Sequence, residues 1–351
     1  MLRATMTSPG KIEFTEVPKP AFGDHDVLLR IRRIGICGSD IHVYHGKHPY
    51  TSYPVVQGHE FCGEVAEVGR DVQSFRQGDL ATAPPQIVCG ECVPCREGHY
   101  HICENLKVMG FQAPGVAQEF FTLPESALLK LPADFTLESG ALVEPTAVAI
   151  HAVSRAGSVA GRQVLVLGAG PIGNLVAQVA KWRQARRVLI SDISDPRLEI
   201  ARKCGLDCTA NSRAASLESH VAKVFGPNRA DVAFECVGAA ETANQAIHNV
   251  RKGGMIVVVG VFGDRPEIDL GLVQDRELEI RGTLMYQRQD YLEAIRCLSE
   301  GGITVGPLLT RTFPFRHYPE AYAFIEENRE KVMKVMVDLD EQATSVHCCP
   351  K

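Results

Sequence analysis

No run of about 20 apolar residues, the length a helix needs to cross a bilayer, occurs in the sequence; its most apolar stretches are short and broken by glycine. The opening segment MLRATMTSPGKIEF has no apolar core of the signal-peptide kind. There is no basic run and no basic helix face, and the formal net charge of -5 argues against nucleic acid or a membrane surface as a partner. Internal repeats and low-complexity segments are missing too. These absences lead to the expectation of a cytoplasmic globular protein that acts on a small molecule.

What is present is ordinary in bulk. Hydrophobic residues make up 45% and charged residues 23% of 351 positions, a length that suggests two domains at roughly 150 residues each. The twelve cysteines stand out. In a reducing compartment thiols persist as thiols, so clustered cysteines there point to metal binding or catalysis.

Two textures divide the chain. Residues 1–147 read as short β-segments separated by turns, such as DVLLRIRRIG (26–35) and EVAEVG (64–69). Residues 148–285 alternate strand and helix patterns. VLVLG (164–168), VLISD (188–192), VAFECVG (232–238), MIVVVG (255–260) and LEIRGTL (278–284) read as strands, and 171–182 and 196–205 as helices. Such alternation implies a doubly wound parallel sheet covered on both faces. Residues 286–351 return to mixed structure with one clear helix at 291–301. The first and last parts are therefore expected to form one domain, with the α/β unit inserted between them. The tail 341–351, with adjacent Cys348 and Cys349, carries no core pattern.

The segment GAGPIG (168–173) follows a strand pattern and opens a helix pattern. That context turns a weak motif into a dinucleotide turn. Gly168 permits the tight bend, Gly170 lets the backbone approach a pyrophosphate, and Gly173 lets helix and strand pack closely. Pro171 and Ile172 begin the helix whose free N–H groups would face the phosphates. Asp192 ends the next strand, where a carboxylate bonds the adenosine ribose and repels a 2′-phosphate, so NAD is expected over NADP. Arg197 stands where it would cover the adenine or partner Asp192.

Residues 89–103 read CGECVPCREGHYHIC. Cys89, Cys92, Cys95 and Cys103 in one short loop suit a closed tetrahedral zinc, whose role is structural because no position is left for substrate. An iron–sulfur cluster also accepts four cysteines, but hydride transfer needs no one-electron carrier. A second set is dispersed: Cys37 in ICGSDIH, His59 and Glu60 in GHEFCG, and Glu144 in ALVEPTAVAIH. A catalytic zinc takes three protein ligands and keeps one position open.

Together these segments resemble the zinc-containing medium-chain dehydrogenase/reductase family, and its polyol (sorbitol-type) branch in particular. The most specific stretch is GHEFCGEVAEVGRDV (58–72), followed in family order by the cysteine lobe and GAGPIG. The resemblance implies a GroES-like β-rich catalytic domain around the inserted Rossmann domain. It implies two zinc ions per chain, one catalytic and one structural, with Cys37 and His59 as ligands of the first. Simple alcohol dehydrogenases carry cysteine where this chain has Glu144, and the polyol branch carries glutamate. Glu144 would bind zinc directly or through water; Glu60 would be the alternative ligand or a group behind the ligands. Ser39 takes the position that contacts the substrate oxygen, and His42 the outer end of a proton relay.

The expected reaction is oxidation of a secondary hydroxyl on a polyol, sugar alcohol or sugar acid to a ketone. The polar residues His42, Tyr44, His45, Lys47, His48 and Gln112, with Tyr286, Gln287 and Arg288 after the last strand, suit a hydroxyl-rich substrate better than an aliphatic one. Tyr286 and Arg288 are the candidate substrate contacts. Alternatives are ketone reduction, threonine-type amino-alcohol oxidation and, from another class, a non-catalytic NAD- or zinc-binding protein. The family and the apolar strand 278–284 point to a dimer or tetramer.

Overall fold

The longest strand of the first part, Asp26–Ile36, is buried along almost its whole length and is paired on both edges. The structure, a computed structural model, describes residues 1–340. It divides them into two units: Met1–Glu144 with Leu309–Arg329 and the chain from Lys334 onward, and Pro145–Leu308 with Glu330–Met333.

In the first unit Asp26–Ile36 lies between Lys334–Asp338 and Glu60–Val68 in a seven-stranded sheet, and Phe120–Pro124 also pairs with it. The pairs are antiparallel except the outer pair Leu309–Pro314 and Lys334–Asp338. Register sets Gly35 opposite Glu60 and Ile36 opposite Val335. Three distant parts of the sequence thus meet at the carboxyl end of one strand, where Cys37 follows.

The second unit holds a six-stranded parallel sheet. In chain order its strands are Gln163–Leu167, Arg187–Asp192, Cys208–Asn211, Ala230–Glu235, Val250–Val258 and Glu279–Gly282. Their spatial order is third, second, first, fourth, fifth, sixth. This is the doubly wound order in which ligands bind beyond the strand ends, at the switch between first and fourth strands. Leu165, Leu189, Ala233 and Ile256 from the strands pack with Val221, Phe225 and Ile247 from the helices in one buried core. Each such large side chain contributes about 1.5–3 kcal/mol by leaving water. The expected β-rich unit with an inserted doubly wound sheet is therefore the observed architecture.

The inserted unit runs further than the expected 148–285. Helix Arg288–Ser299 and the turn after it group with the parallel sheet as far as Leu308. His151 Nδ1 lies 2.9 Å from Asp290 Oδ2, Arg183 pairs with Glu293 at 2.8 Å, and the Thr304 N–H donates to Gln178 at 2.7 Å. These ties hold 286–308 to the helices of the second unit; the helical pattern at 291–301 is correct, but periodicity does not name a packing partner. The start of the unit falls at Pro145 rather than 148. The Cys348–Cys349 tail lies outside the described residues.

Candidate metal and dinucleotide sites

The cysteine lobe comes together as its spacing requires. The sulfurs of Cys89, Cys92, Cys95 and Cys103 all lie within 4.8 Å of one another. Cys103 Sγ is 3.5 Å from Cys89 Sγ and 3.9 Å from Cys92 Sγ. Zinc–sulfur bonds of about 2.3 Å in a tetrahedron put sulfurs about 3.8 Å apart, so the set fits one ion. Backbone N–H groups already solvate the sulfurs: Cys103 Sγ accepts from Cys89 and Asn105, and Cys89 Sγ from Cys92. The N–H groups of Glu91 and Cys92 pull the Cys89 thiol down to about 6, which favours the thiolate a metal needs.

Cys37, His59 and Glu60 form the second cluster, their ligand atoms again within 4.8 Å. Cys37 caps the short helix Gly38–Tyr44, and its N–H donates to Asp40 Oδ2 at 2.9 Å. Ser39 Oγ donates to Cys37 Sγ at 3.2 Å. His42 follows one turn later and is exposed. His59 is buried, with Nδ1 3.5 Å from Asp40 Oδ1 but outside hydrogen-bond alignment, so the contact is electrostatic. Burial alone would lower the His59 pKa; the charges of Asp40 and Cys37 outweigh it and hold His59 well above its usual value. A buried imidazole whose ligand atom lies within 4.8 Å of a thiol and a carboxylate suits a zinc ion.

Glu144 is buried at the first turn of helix Val143–Arg155 but stays outside that cluster. Lys334 is the charged residue the sequence did not single out. Its Nζ lies 2.7 Å from both carboxylate oxygens of Glu60, and both side chains are almost wholly buried. Burial lowers the Lys334 pKa, but Glu60 and Cys37 outweigh that and hold the ammonium above its ordinary range; Glu144 adds to this. Gly35 makes the pair feasible, because a Cβ there would stand 2.2 Å from Glu60 Oε2. The only local mark it leaves is a lysine set among apolar residues in VMKVMV (332–337).

In the second unit Gly168 has φ +97°, and a Cβ on Gly173 would stand 1.9 Å from the Gly168 carbonyl oxygen, so the turn demands glycine at both positions. Gly170 caps the helix Pro171–Trp182, with Pro171 and Ile172 in its first turn. Asp192 accepts from the Ala169 N–H at 2.6 Å through Oδ2 and from the Ser194 N–H at 2.8 Å through Oδ1. Since a carboxylate offers about four lone-pair sites, acceptor capacity remains for ribose hydroxyls. A Cβ on Gly170 would come 3.7 Å from an Nη atom of Arg197, so that guanidinium reaches over the turn. Ile193 and Val237, about half exposed, follow the ends of the second and fourth strands and offer apolar surface for a flat base. Sequence reading passed over both, since an exposed aliphatic residue carries no motif.

The remaining polar candidates scatter. Tyr44 stacks on Tyr322, His45 pairs with Glu326 at 2.5 Å, and His48 stacks on Phe111, which also contacts the His59 ring. Burial, then His42, lowers the His48 pKa. Gln112 binds backbone groups of Val108 and Tyr50. Tyr286 has no exposed surface and packs edge-on against Tyr291; it is core. Arg288 is exposed at the start of its helix, and Gln287 caps that helix.

A metal cluster with polar neighbours in one unit and a dinucleotide turn in the other are what metal-assisted hydride transfer requires, so fold and sites define a metal-dependent dehydrogenase. A family model for the alcohol dehydrogenase GroES-like domain matches residues 23–133, and one for zinc-binding dehydrogenases matches 171–300. The 2-dehydro-3-deoxy-L-galactonate 5-dehydrogenase of Pseudoalteromonas atlantica is 37% identical over 90% of this chain and 92% of its own. The L-threonine 3-dehydrogenase of Rhizobium johnstonii is 36% identical over 84% and 86%. A zinc-binding dehydrogenase from Sinorhizobium meliloti, solved with NADP, superposes with TM-score 0.88 at 30% identity over 96% of this chain and 98% of that one. The chain belongs to the zinc-containing medium-chain dehydrogenase family. It is an oxidoreductase that uses zinc and a nicotinamide cofactor. Among the described residues no helix is long and apolar enough to cross a membrane.

Proposed function

We propose that the protein oxidises a secondary hydroxyl of a sugar acid or related polyol to a ketone, with NAD as acceptor and two zinc ions per chain. The observation that carries the reading is the cluster of Cys37, His59 and Glu60 with a glutamate, Glu144, buried nearby in place of a further thiol. The likeness to a galactonate-type dehydrogenase supports the sugar-acid version.

Zinc, when bound, supplies Lewis acidity to the substrate oxygen, and the nicotinamide accepts hydride. The chain's own residues do the rest. Cys37 and His59 would hold the metal, with Glu60 or Glu144 completing the set, and Cys89, Cys92, Cys95 and Cys103 would hold the structural ion. Ser39, against the Cys37 sulfur, would take the substrate proton, and exposed His42 would return it to solvent. Gly168, Gly170, Pro171, Ile172 and Gly173 would receive the pyrophosphate, Asp192 the ribose and Arg197 the adenine side. Arg288 would meet a substrate carboxylate.

Turnover should be faster on aldonates, inositols or linear polyols than on ethanol or butanol, because a site built to bond several hydroxyls rejects analogues lacking them. A panel of kcat/KM values decides this; if simple alcohols are the best substrates, the assignment is lost. Threonine oxidation is the second reading, favoured by the Rhizobium relative, and threonine belongs in the same panel.

For the cofactor, Asp192→Ala should narrow a wild-type preference for NAD by about tenfold, roughly 1.4 kcal/mol of discrimination. Equal kcat/KM for NAD and NADP in the wild type would reject the role given to Asp192.

Assembly follows from the edge strand Glu279–Gly282, which ends the parallel sheet with Ile280 40% exposed. A sheet edge of this kind invites pairing with a second copy. Light scattering at micromolar concentration should give a dimer or tetramer, and a monomer would refute it.

A further inference from the structure

Behind the metal ligands of the first unit runs a buried chain of hydrogen bonds that begins on the helix Tyr318–Glu327. Tyr322 Oη donates to Gln57 Oε1 at 2.8 Å. Gln57 Nε2 in turn faces the carbonyl oxygen of Asp40 at 3.3 Å and its Oδ1 at 3.4 Å. The same Oδ1 faces His59 Nδ1. Tyr318 Oη lies 3.3 Å from Tyr322 Oη; since Tyr322 gives its own proton to Gln57, Tyr318 donates to Tyr322. The four donors and acceptors therefore point one way, toward Asp40.

Burial is what gives this chain consequence. Asp40, Tyr318 and Tyr322 are at most 2% exposed, and so is Gln57. A carboxylate without water needs donors, and those of Asp40 are the Cys37 N–H and the Gln57 amide. Burial pushes both phenols above their ordinary pKa, so they remain neutral donors at neutral pH. The Tyr322 ring also stacks on Tyr44, 4.8 Å between centroids at 19°, on the short helix that carries Ser39 and Asp40. One residue from the far end of the chain thus touches both segments that supply the ligands.

We propose that Tyr322 is a positioning residue for the catalytic metal: through Gln57 it fixes the Asp40 carboxylate against His59 and so slows release of the ion. Groups that orient a ligating histidine commonly change metal affinity by about 10–100-fold when removed. The inference rests on reading Cys37, His59 and Glu60 as a metal site.

The test follows zinc release from the intact holoenzyme to a chromophoric chelator. The phase missing in Cys37→Ser belongs to the cluster; the other belongs to the cysteine lobe. Tyr322→Phe removes only the hydroxyl and keeps the ring on Tyr44. It should speed the cluster phase about tenfold and leave the lobe phase unchanged. Gln57→Leu should do the same, and the double variant should be little faster than either single one, because both break one chain. An unchanged cluster phase, equal acceleration of both phases, or effects that multiply in the double variant would overturn the proposal. If Cys37→Ser loses no phase at all, the metal reading itself fails and takes this inference with it.

Discussion

Cys37→Ser is expected to leave a folded protein with one zinc ion and almost no turnover, whereas Cys92→Ser loses the other zinc and much of its stability. The asymmetry follows from the two clusters. The Cys37 cluster sits at the end of a sheet strand paired on both sides, so the fold there stands without an ion. Loss of Lewis acidity removes several kcal/mol from the transition state, a fall of about 10³-fold or more. The cysteine lobe has short elements: the two-residue strands Gln86–Ile87 and Lys107–Val108, the four-residue helix Val93–Arg96 and the three-residue 3-10 turn Tyr100–Ile102. Its four sulfurs gather these short turns at one point. Structural zinc contributes on the order of 10 kcal/mol in comparable small sites, so its removal should unfold the lobe. Elemental analysis with activity and thermal melts checks both arms. One metal per chain in fully active wild-type protein defeats the prediction.

Lys334→Met should destabilise the apo protein by about 3–5 kcal/mol, because it leaves Glu60 buried without its cation. Both Glu60 oxygens lie 2.7 Å from Lys334 Nζ, and neither residue has more than a trace of surface. The second variant, Glu60→Gln with Lys334→Met, removes both charges and should recover most of the loss, since replacing a whole buried pair is often close to neutral. Urea melts of the metal-stripped forms measure this. A loss under about 1 kcal/mol in the single variant would mean that water reaches Glu60.

How much of this was legible depended on contiguity. GAGPIG and the cysteine lobe are written in consecutive residues, and their local geometry follows from spacing alone; the helix over 171–182 matches the reading residue for residue. The Cys37 cluster was legible only through the family resemblance, because a cysteine and a histidine 22 positions apart carry no spacing rule of their own. Lys334 and Tyr322 were illegible. They meet Glu60 and Gln57 across 274 and 265 residues, and no local pattern records such a meeting. The strand Cys208–Asn211 was missed for a different reason: CTAN is four residues long and only one is buried, so it has no hydrophobic run to show. Helix Arg288–Ser299 was seen, but its packing partner was not.

The place of Lys334 in the chain has a consequence for synthesis on the ribosome. Glu60 emerges 274 residues before its cation is made. At about 5–20 residues per second, it waits roughly 15 s to 1 min. Throughout that interval the Arg33–Ile36 end of the strand lacks its neighbour Lys334–Asp338, and that stretch of edge lies open while the whole parallel-sheet unit is being translated. The first half of this protein can therefore begin its sheet early but cannot close it, and a chain that terminates before Lys334 carries a permanently uncompensated acid where the ligands should gather.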